Sequence, residues 1–351
     1  MPAYSTMNLQ TLSDTKMLLL TRHRRVRIMK KSYPYRIYSP FVSICVMLLL
    51  ATTAVAQDDD EEEKLPEPQD IELRTEDRVI LHARFYPGTK GKNSVPIIMA
   101  HGWAGKGEEF YDLAAKVQKF LGHAVIVPDL RAHGKSDYAE DPKDPNGTVK
   151  LDRNKMNKQD ILNIGLDIRA CKKYLMNRNN AGELNIEQLC IVAADVSCIP
   201  ALEWAVYDWT RPVLPTIKLG RDIKAMVLLT PVSEYKGLRV DQALKHAYVR
   251  GGMSMMFLAG SELPSAHSDA KRLHARFERF HPTLPEDPIE RRKKQDLFFV
   301  SIPTKLQGTK LLTYQPGNND PNPVALIGQF ITVRLSNRSA TFKWGDRSRD
   351  D

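Results

Sequence analysis

Residues 189–205 read LCIVAADVSCIPALEWA, an apolar run that meets an aspartate and continues as a stretch of mixed polarity. The run predicts a buried strand, and the stretch after Cys198 predicts a helix. A sharp turn from strand to helix brings backbone close to the residues two positions before and after its tip, so those residues must be small. Ala193 and Ser197 meet this requirement around Asp195. The sequence therefore predicts a tight turn with Asp195 at its tip.

On both sides of this turn, short apolar runs alternate with longer amphipathic stretches. This alternation is typical of a mostly parallel sheet with helices on both faces. Strands are predicted at 96–100, 124–127, 189–193, 225–229, 255–259 and 297–302. Helices are predicted at about 109–121, 158–177, 196–207 and 269–280. Two earlier strand-like runs, 71–74 and 79–85, favour an opening hairpin.

Two further segments combine a strand with a polar loop. Residues 96–103 read PIIMAHGW, a strand that ends in a His-Gly pair, and glycines follow at 105 and 107. Glycine lets the backbone come close to a developing negative charge. Residues 127–136 read VPDLRAHGKS, a strand end followed by a turn rich in polar residues. Each segment predicts a strand that is followed directly by a turn.

Together the three segments resemble the α/β-hydrolase superfamily, in particular its lysophospholipase-like and serine-aminopeptidase-like branches, over roughly residues 71–312. The resemblance implies an α/β-hydrolase fold, with a mostly parallel twisted sheet and helices on both faces. Asp195 occupies the position of the serine in the family's Gly-x-Ser-x-Gly nucleophile elbow. Only about two dozen residues separate the strands ending at Leu229 and beginning at Met255, which predicts no large cap domain.

The resemblance also assigns the groups around the elbow. Gly102, the backbone amide of Trp103 and Val196 fall at the oxyanion-hole or pocket positions. His133 lies in the family's Asp-x-Arg-Gly-His-Gly-x-Ser turn, where the histidine is structural. Making Ser197 the nucleophile instead would put Asp195 and Ile199 in the crowded positions of the turn, which is sterically poor.

The other two positions of the family triad also depart from the pattern. The acid is expected after the seventh strand, where Glu262 is the nearest candidate beside Leu263. Asp269 lies at a predicted helix start, where capping explains an acid without chemistry. The histidine is expected after the eighth strand, and Gln307 stands there. Glutamine cannot accept a proton near neutral pH, so the usual base is missing and His267 is the nearest substitute.

Three functional hypotheses follow from these departures. The first is a binding or interaction protein on a hydrolase scaffold that has lost its Ser-His-Asp triad, with an unknown small molecule or envelope protein as its partner. The second is an unusual hydrolase of an ester or related bond that uses Asp195 as nucleophile, as the haloalkane dehalogenase and epoxide hydrolase branches do. The third is a purely structural envelope protein. The scattered histidines have no metal-ligand spacing and no nucleotide loop is present, so we expect no metal and no cofactor.

The net charge of +9 comes mostly from the first 56 residues, which contain eight Lys or Arg and one Asp. The rest of the chain carries 43 basic and 41 acidic residues, so no nucleic-acid surface is indicated. A basic stretch, the apolar run 41–50 and Ala54-Val55-Ala56 predict that residues 1–56 are a signal peptide with an extended basic n-region. Met29 is an alternative start. We expect export to the periplasm or the medium, and membrane attachment only through an uncleaved leader.

Composition divides the remaining chain into three parts. Residues 57–69 contain six consecutive acids followed by prolines and predict a disordered acidic linker. Residues 70–315 form the α/β-hydrolase-like domain, and 316–351 form a C-terminal extension in which runs 330–335 and 340–344 favour an extra hairpin. Three cysteines remain after the leader, which implies no disulfide framework, and Cys171 and Cys190 read as buried small hydrophobes.

We expect the mature protein to begin at Gln57, because signal peptidases cleave after small residues such as those at 54–56. N-terminal sequencing or intact-mass measurement of the exported protein checks this expectation. Recovery of residues 41–56 in membrane-bound protein would replace export with anchoring.

Overall fold

The computed structural model describes residues 65–144, 146–214 and 218–347. The predicted leader and residues 57–64 of the predicted linker lie outside this part of the chain. The strands are β1 Gln69–Arg74, β2 Val79–Tyr86, β3 Pro96–Ala100, β4 Ala124–Pro128, β5 Tyr138–Glu140, β6 Thr148–Lys150, β7 Leu189–Ala194, β8 Ile223–Leu229, β9 Glu234–Tyr235, β10 Leu238–Arg239, β11 Ser254–Gly260 and β12 Leu297–Ile302.

Helices connect most of these strands. They are α1 Tyr111–Leu121, α2 Lys158–Leu162, α3 Ile164–Asn180, α4 Cys198–Thr210, α5 Asp241–Lys245, α6 Ala247–Gly251, α7 Pro264–Glu278, α8 Pro288–Lys294 and α9 Pro323–Arg334. Short 3₁₀ segments at Gly107–Phe110, Asp195–Ser197 and Gly308–Thr313 follow β3, β7 and β12. The eight strands predicted between residues 71 and 302 are present, and so are the four predicted helices, with shifts of a few residues at their ends and with the helix at 158–177 divided at Asn163 into α2 and α3.

The main sheet has the order β12-β11-β8-β7-β3-β4-β2-β5-β6, with β1 paired to β2. The six strands from β12 to β4 run parallel, and β2 runs antiparallel to them and to its other partners β1 and β5. Parallel strands end at the same edge of a sheet, so the loops that follow β3, β4, β7, β8, β11 and β12 meet there. The predicted site residues lie on these loops.

Helices cover both faces of the sheet, and each face has its own apolar core. Successive residues of a strand point to opposite faces, so in β3 Ile98 belongs to one core and Met99 to the other. The first core contains apolar residues of α3, α4 and α7, and the second contains residues of α1 and α9. The sheet is therefore buried on both sides, as the near-continuous apolar strands predict.

Side-chain hydrogen bonds and ion pairs within the protein hold the polar turn after β4 in place. The Asp129 carboxylate accepts the backbone N–H groups of Gly107 and Lys135, at 2.8 and 2.9 Å. Arg131 is buried and pairs with Asp167 on α3 at 2.7 Å and with Asp77 at 2.5 Å. The turn thus ties β4 to α3 and to the β1–β2 connection, which is a structural role.

No large cap stands between β8 and β11. The short hairpin β9–β10 and the short helices α5 and α6 occupy this connection. Sequence reasoning did not find these elements, nor the hairpin β5–β6. All of them are too short to show a clear period, and the β6 side chains are exposed.

The hairpin expected in the C-terminal extension was wrong. Residues 323–334 form α9, whose Ile327, Phe330 and Ile331 are buried in the core beneath the sheet. Asn322 caps the helix by accepting the backbone N–H of Ala325, and Pro323 occupies its first turn. The β-branched run at 331–333 suggested a strand, but packing against the sheet decides the conformation. The compact fold therefore continues beyond residue 315.

Three cysteines in the described chain are free and fully buried, at positions 171, 190 and 198. Burial raises the pKa of each thiol, because the thiolate would be desolvated. These cysteines are therefore packing residues. Among the described residues, no helix is long and apolar enough to cross a bilayer.

We expect Ile331→Ala to lower the free energy of unfolding by about 2–4 kcal/mol, because a fully buried side chain is lost from the core. Val333→Ala, two residues on and 39% exposed, is the matched control and should cost less than about 1 kcal/mol. Urea denaturation checks both variants. Equal small effects would mean that α9 is an appendage to the fold.

Candidate functional site

The turn after β7 has the strained geometry of a nucleophile elbow. Asp195 has a φ of 53°, in the left-handed region that a residue with a side chain rarely adopts. A Cβ on Gly102 would lie 3.2 Å from the Asp195 Cβ, so the loop after β3 passes directly beside the turn. The 3₁₀ segment Asp195–Ser197 then leads into α4. The small residues at 193 and 197 are required for this close approach.

The Asp195 carboxylate lies beside backbone amides. The N–H groups of Val196 and Trp103, the two amides that the sequence placed in an oxyanion hole, are near enough to lower its pKa. Burial raises the pKa of Asp195 by more than these amides lower it. The carboxylate therefore sits where a hydrolase would receive the oxyanion of its substrate.

Gln307 lies in the loop after β12 and links two other loops. Its Oε1 accepts the Thr230 hydroxyl at 3.0 Å, and its Nε2 donates to the Gly260 carbonyl oxygen at 3.1 Å. The backbone N–H of Gly308 donates to the Thr230 hydroxyl at 2.9 Å. The amide is thus a cross-link between the ends of β8, β11 and β12, and it offers no basic nitrogen.

The structure brings Gln307 close to Asp195 and leaves Glu262 apart. A Cβ on Gly308 would lie 3.8 Å from the Asp195 Cβ, so the β12 loop does reach the elbow. Glu262 is exposed, and within the described residues its carboxylate makes no hydrogen bond to either residue. His267 contacts the Ser301 hydroxyl through Nε2 at 2.8 Å, on the edge strand β12. No acid–base pair is assembled at the elbow by these residues.

Two other histidines lie near the elbow and are engaged with the backbone. His101 accepts the Leu130 N–H through Nε2 at 3.0 Å and contacts the Gly102 carbonyl oxygen through Nδ1 at 2.9 Å. Burial lowers the pKa of His101 to about 4. His133 contacts the Arg131 and Trp103 carbonyl oxygens, at 2.8 and 2.6 Å, through its two ring nitrogens. Neither ring has a nitrogen left to serve as a base for Asp195.

Ser197 and Cys198 are unavailable as nucleophiles. The Ser197 hydroxyl is buried and donates to the His101 carbonyl oxygen at 2.6 Å. Cys198 is fully buried, and its thiol contacts the Ala193 carbonyl oxygen at 3.4 Å. Both side chains fasten the elbow to neighbouring backbone, so Asp195 alone occupies the tip of the turn.

Two loops meet above the Trp103 ring. The Tyr235 ring centroid lies 5.6 Å from that of Trp103, and the Lys236 ammonium lies 5.4 Å from the Trp103 ring centroid. Lys236 also donates to the Met156 carbonyl oxygen at 3.0 Å, and Arg153 donates to the Trp103 carbonyl oxygen at 3.2 Å. The β9–β10 hairpin and the segment before α2 therefore cover part of the space that a cap would occupy.

Four surface clefts have volumes of about 180 to 630 Å³, and Asp195 lines none of these four. Within residues 65–144, 146–214 and 218–347, no three His, Cys, Asp or Glu side chains are grouped as metal ligands. The arrangement at the elbow thus holds one buried carboxylate between backbone donors.

Sequence reasoning missed three residues of the site. Thr230 follows β8 directly and has a φ of 48°, so its place at the end of a parallel strand was a usable signal. Tyr235 and Lys236 lie on a hairpin whose tip is Lys236-Gly237, both at positive φ. A Lys-Gly pair is a weak turn signal, and nothing in the sequence linked it to Trp103.

Comparison with protein-family models matched residues 95–185 to an α/β-hydrolase-fold family. This segment contains β3, α1, β4 and all of α3, and it ends before the elbow. Comparison with curated protein sequences found no match.

Solved structures of low sequence identity share the fold. An esterase of the archaeon Pyrobaculum calidifontis has 10% identity and a TM-score of 0.51, covering 76% of this chain and 83% of its own. An α/β hydrolase, GrgF, from a Penicillium species has 11% identity and a TM-score of 0.51, covering 77% and 100%. An esterase of Pyrococcus furiosus has 14% identity and a TM-score of 0.50, covering 77% and 91%. These likenesses establish the α/β-hydrolase fold predicted from the sequence.

We expect wild-type protein to lose stability relative to Asp195→Asn as pH rises from about 3 to neutrality. The pKa of Asp195 is raised above 3.8 in the folded protein, so ionisation costs more in the folded than in the unfolded state. Below that window the carboxyl is protonated in both states and this cost vanishes. Urea denaturation of both proteins across the pH range checks the trend. Replacing the carboxyl by an amide also changes the stability by an amount that does not depend on pH, so this change does not affect the trend. A trend of the opposite sign would contradict the expectation.

Proposed function

We propose that this α/β-hydrolase-fold protein is non-catalytic and acts as a binding or interaction protein. The observation that carries the proposal is the pair of substitutions at the elbow and opposite it. Asp195 places its own carboxylate beside the two oxyanion-hole amides, and Gln307 replaces the histidine with a hydrogen-bonded cross-link. Each change removes a different requirement of acyl transfer.

The first requirement is an empty oxyanion hole. In acyl transfer, two preorganised N–H groups stabilise the negative charge that develops on the substrate oxygen. Here the N–H groups of Val196 and Trp103 already face the Asp195 carboxylate. A substrate oxyanion at the same amides would be repelled by the charge of that carboxylate. Ester hydrolysis in the manner of a serine enzyme is therefore disfavoured at this site.

The second requirement is a general base within hydrogen-bond reach. The histidines nearest the elbow, His101 and His133, have both ring nitrogens engaged with the backbone. Replacing Gln307 would also release the Thr230 hydroxyl and the Gly260 carbonyl oxygen from their partners. The Gln307 side-chain amide is therefore part of the hydrogen-bond network that joins these loops.

The second candidate function is a hydrolase in which Asp195 attacks an alkyl carbon. One observation favours it: the carboxylate lies at the tip of the elbow beside two backbone amides. Release of the resulting alkyl ester needs a water activated by a base, and His101 and His133 have both ring nitrogens engaged with the backbone. Incubation with an alkyl bromide or an epoxide, followed by intact-mass measurement, separates the candidates. The non-catalytic proposal predicts no adduct and no turnover.

The proposed setting is outside the cytoplasm. The basic stretch, apolar run and small residues of the first 56 positions support export. The near-neutral balance of the remaining chain argues against nucleic acid as partner. A small molecule or another envelope protein is the partner that we propose.

Asp195→Ser alone should stay nearly inactive on an activated ester such as p-nitrophenyl acetate. The serine hydroxyl would lie at the elbow without a base and would stay protonated. Adding Gln307→His supplies an imidazole on the loop that reaches the elbow, and we expect a gain of about 10- to 100-fold over the single variant. Stopped-flow ester hydrolysis and labelling by a fluorophosphonate check the rates and the site.

Gln307→His alone is the matched control, since it has the base without the serine. It should match the wild type in rate. Wild-type turnover of a halide, epoxide or ester that Asp195→Asn abolishes would overturn the non-catalytic proposal. Fluorophosphonate labelling of wild-type Ser197 would overturn the assignment of Asp195 to the tip of the elbow.

A further inference from the structure

A cleft of about 580 Å³ lies between α3 and α4 and is called the α3–α4 cleft below. Lys172 lines it and is buried, with its ammonium 2.5 Å from carboxylate oxygens of both Asp208 and Asp222. Asp222 immediately precedes β8, so this part of the cleft lies at the amino-terminal end of the strand. Asp195 follows the carboxyl end of β7, and the two places are therefore at opposite edges of the sheet.

The wall and rim of the α3–α4 cleft carry cations that no carboxylate neutralises. Lys173 and Arg211 line the cleft, and neither has a carboxylate within ion-pair distance among the described residues. Arg169 also lines it and pairs with Glu76 at 2.7 Å. Charged side chains that face one concave surface act together on a ligand that enters it. Two uncompensated positive charges thus remain on this surface.

The Tyr207 ring contacts the guanidinium groups of two arginines of the cleft, Arg169 and Arg211. Tyr207 is 37% exposed, and the guanidinium carbons of Arg169 and Arg211 each lie 5.3 Å from its ring centroid. A guanidinium over a ring is held in place by the ring's negative face, while its N–H groups remain at its edge. Such an edge matches the oxygens of a tetrahedral oxyanion in a bidentate way.

We propose that the α3–α4 cleft is a binding site for a phosphoryl group, carried either by a soluble phosphate ester or by a lipid headgroup. The two unpaired cations balance the charge of a phosphate dianion, whereas a carboxylate would balance one of them. Arg169, Arg211 and Lys173 supply the charged N–H donors. Affinity in such a site falls with salt, because the rim cations are exposed to solvent.

Isothermal titration of the purified full chain with inorganic phosphate and with phenyl phosphate at low ionic strength tests the soluble source. Sedimentation with phosphatidylcholine vesicles, with and without phosphatidic acid, tests the headgroup. We expect saturable binding in at least one arm, and the arm that binds identifies the source. Absence of binding in both arms overturns the proposal.

The double variant Lys173→Gln with Arg211→Gln should weaken binding by about tenfold or more, because two charge-assisted hydrogen bonds are lost. Arg272→Gln with Lys293→Gln is the matched control: it removes the same charge from α7 and α8, where both side chains are exposed. We expect its affinity to stay at the wild-type value. Equal weakening in both double variants would mean a general charge effect and overturn the site. Thermal unfolding of each variant distinguishes a loss of the fold from a loss of binding.

Discussion

A carboxylate beside two backbone N–H groups is the feature around which the site is organised. The elbow holds Asp195 in a left-handed conformation and brings Gly102 against it, so the Val196 and Trp103 amides face the carboxylate. In an esterase such amides stabilise the oxyanion of the substrate. In this chain a carboxyl group of the protein itself lies beside them.

The same principle extends to the loops around the elbow. Gln307 joins the ends of three strands, the Ser197 hydroxyl fastens the turn to His101, and His133 contacts two carbonyl oxygens. Gln307 stands at the position of the triad histidine, which carries proton transfer in a working triad. Here this position is part of a hydrogen-bond network. Such a network favours rigidity at the carboxyl edge of the sheet, since each polar group already has its partner.

The sequence predicted the sheet, the main helices and the elbow, because apolar periodicity and steric limits on small residues are local signals. It also placed Gln307 beside Asp195. It could not reveal that the carboxylate faces the amides of Val196 and Trp103, since amide directions depend on the folded turn. The link between Gln307 and Thr230 joins residues far apart in the chain. The error at α9 arose because the β-branched run 331–333 outweighed the cap and proline that begin the helix.

The burial of the three free thiols has a consequence for how the protein folds. Each cysteine is enclosed in the core, free, and held in its unreactive protonated form by burial. The fold of the described residues therefore depends on no disulfide. These three thiols meet oxidants only when the chain unfolds. Oxidative damage to them would thus measure how often the chain opens, and slow folding in an oxidising medium would leave mispaired or oxidised cysteine.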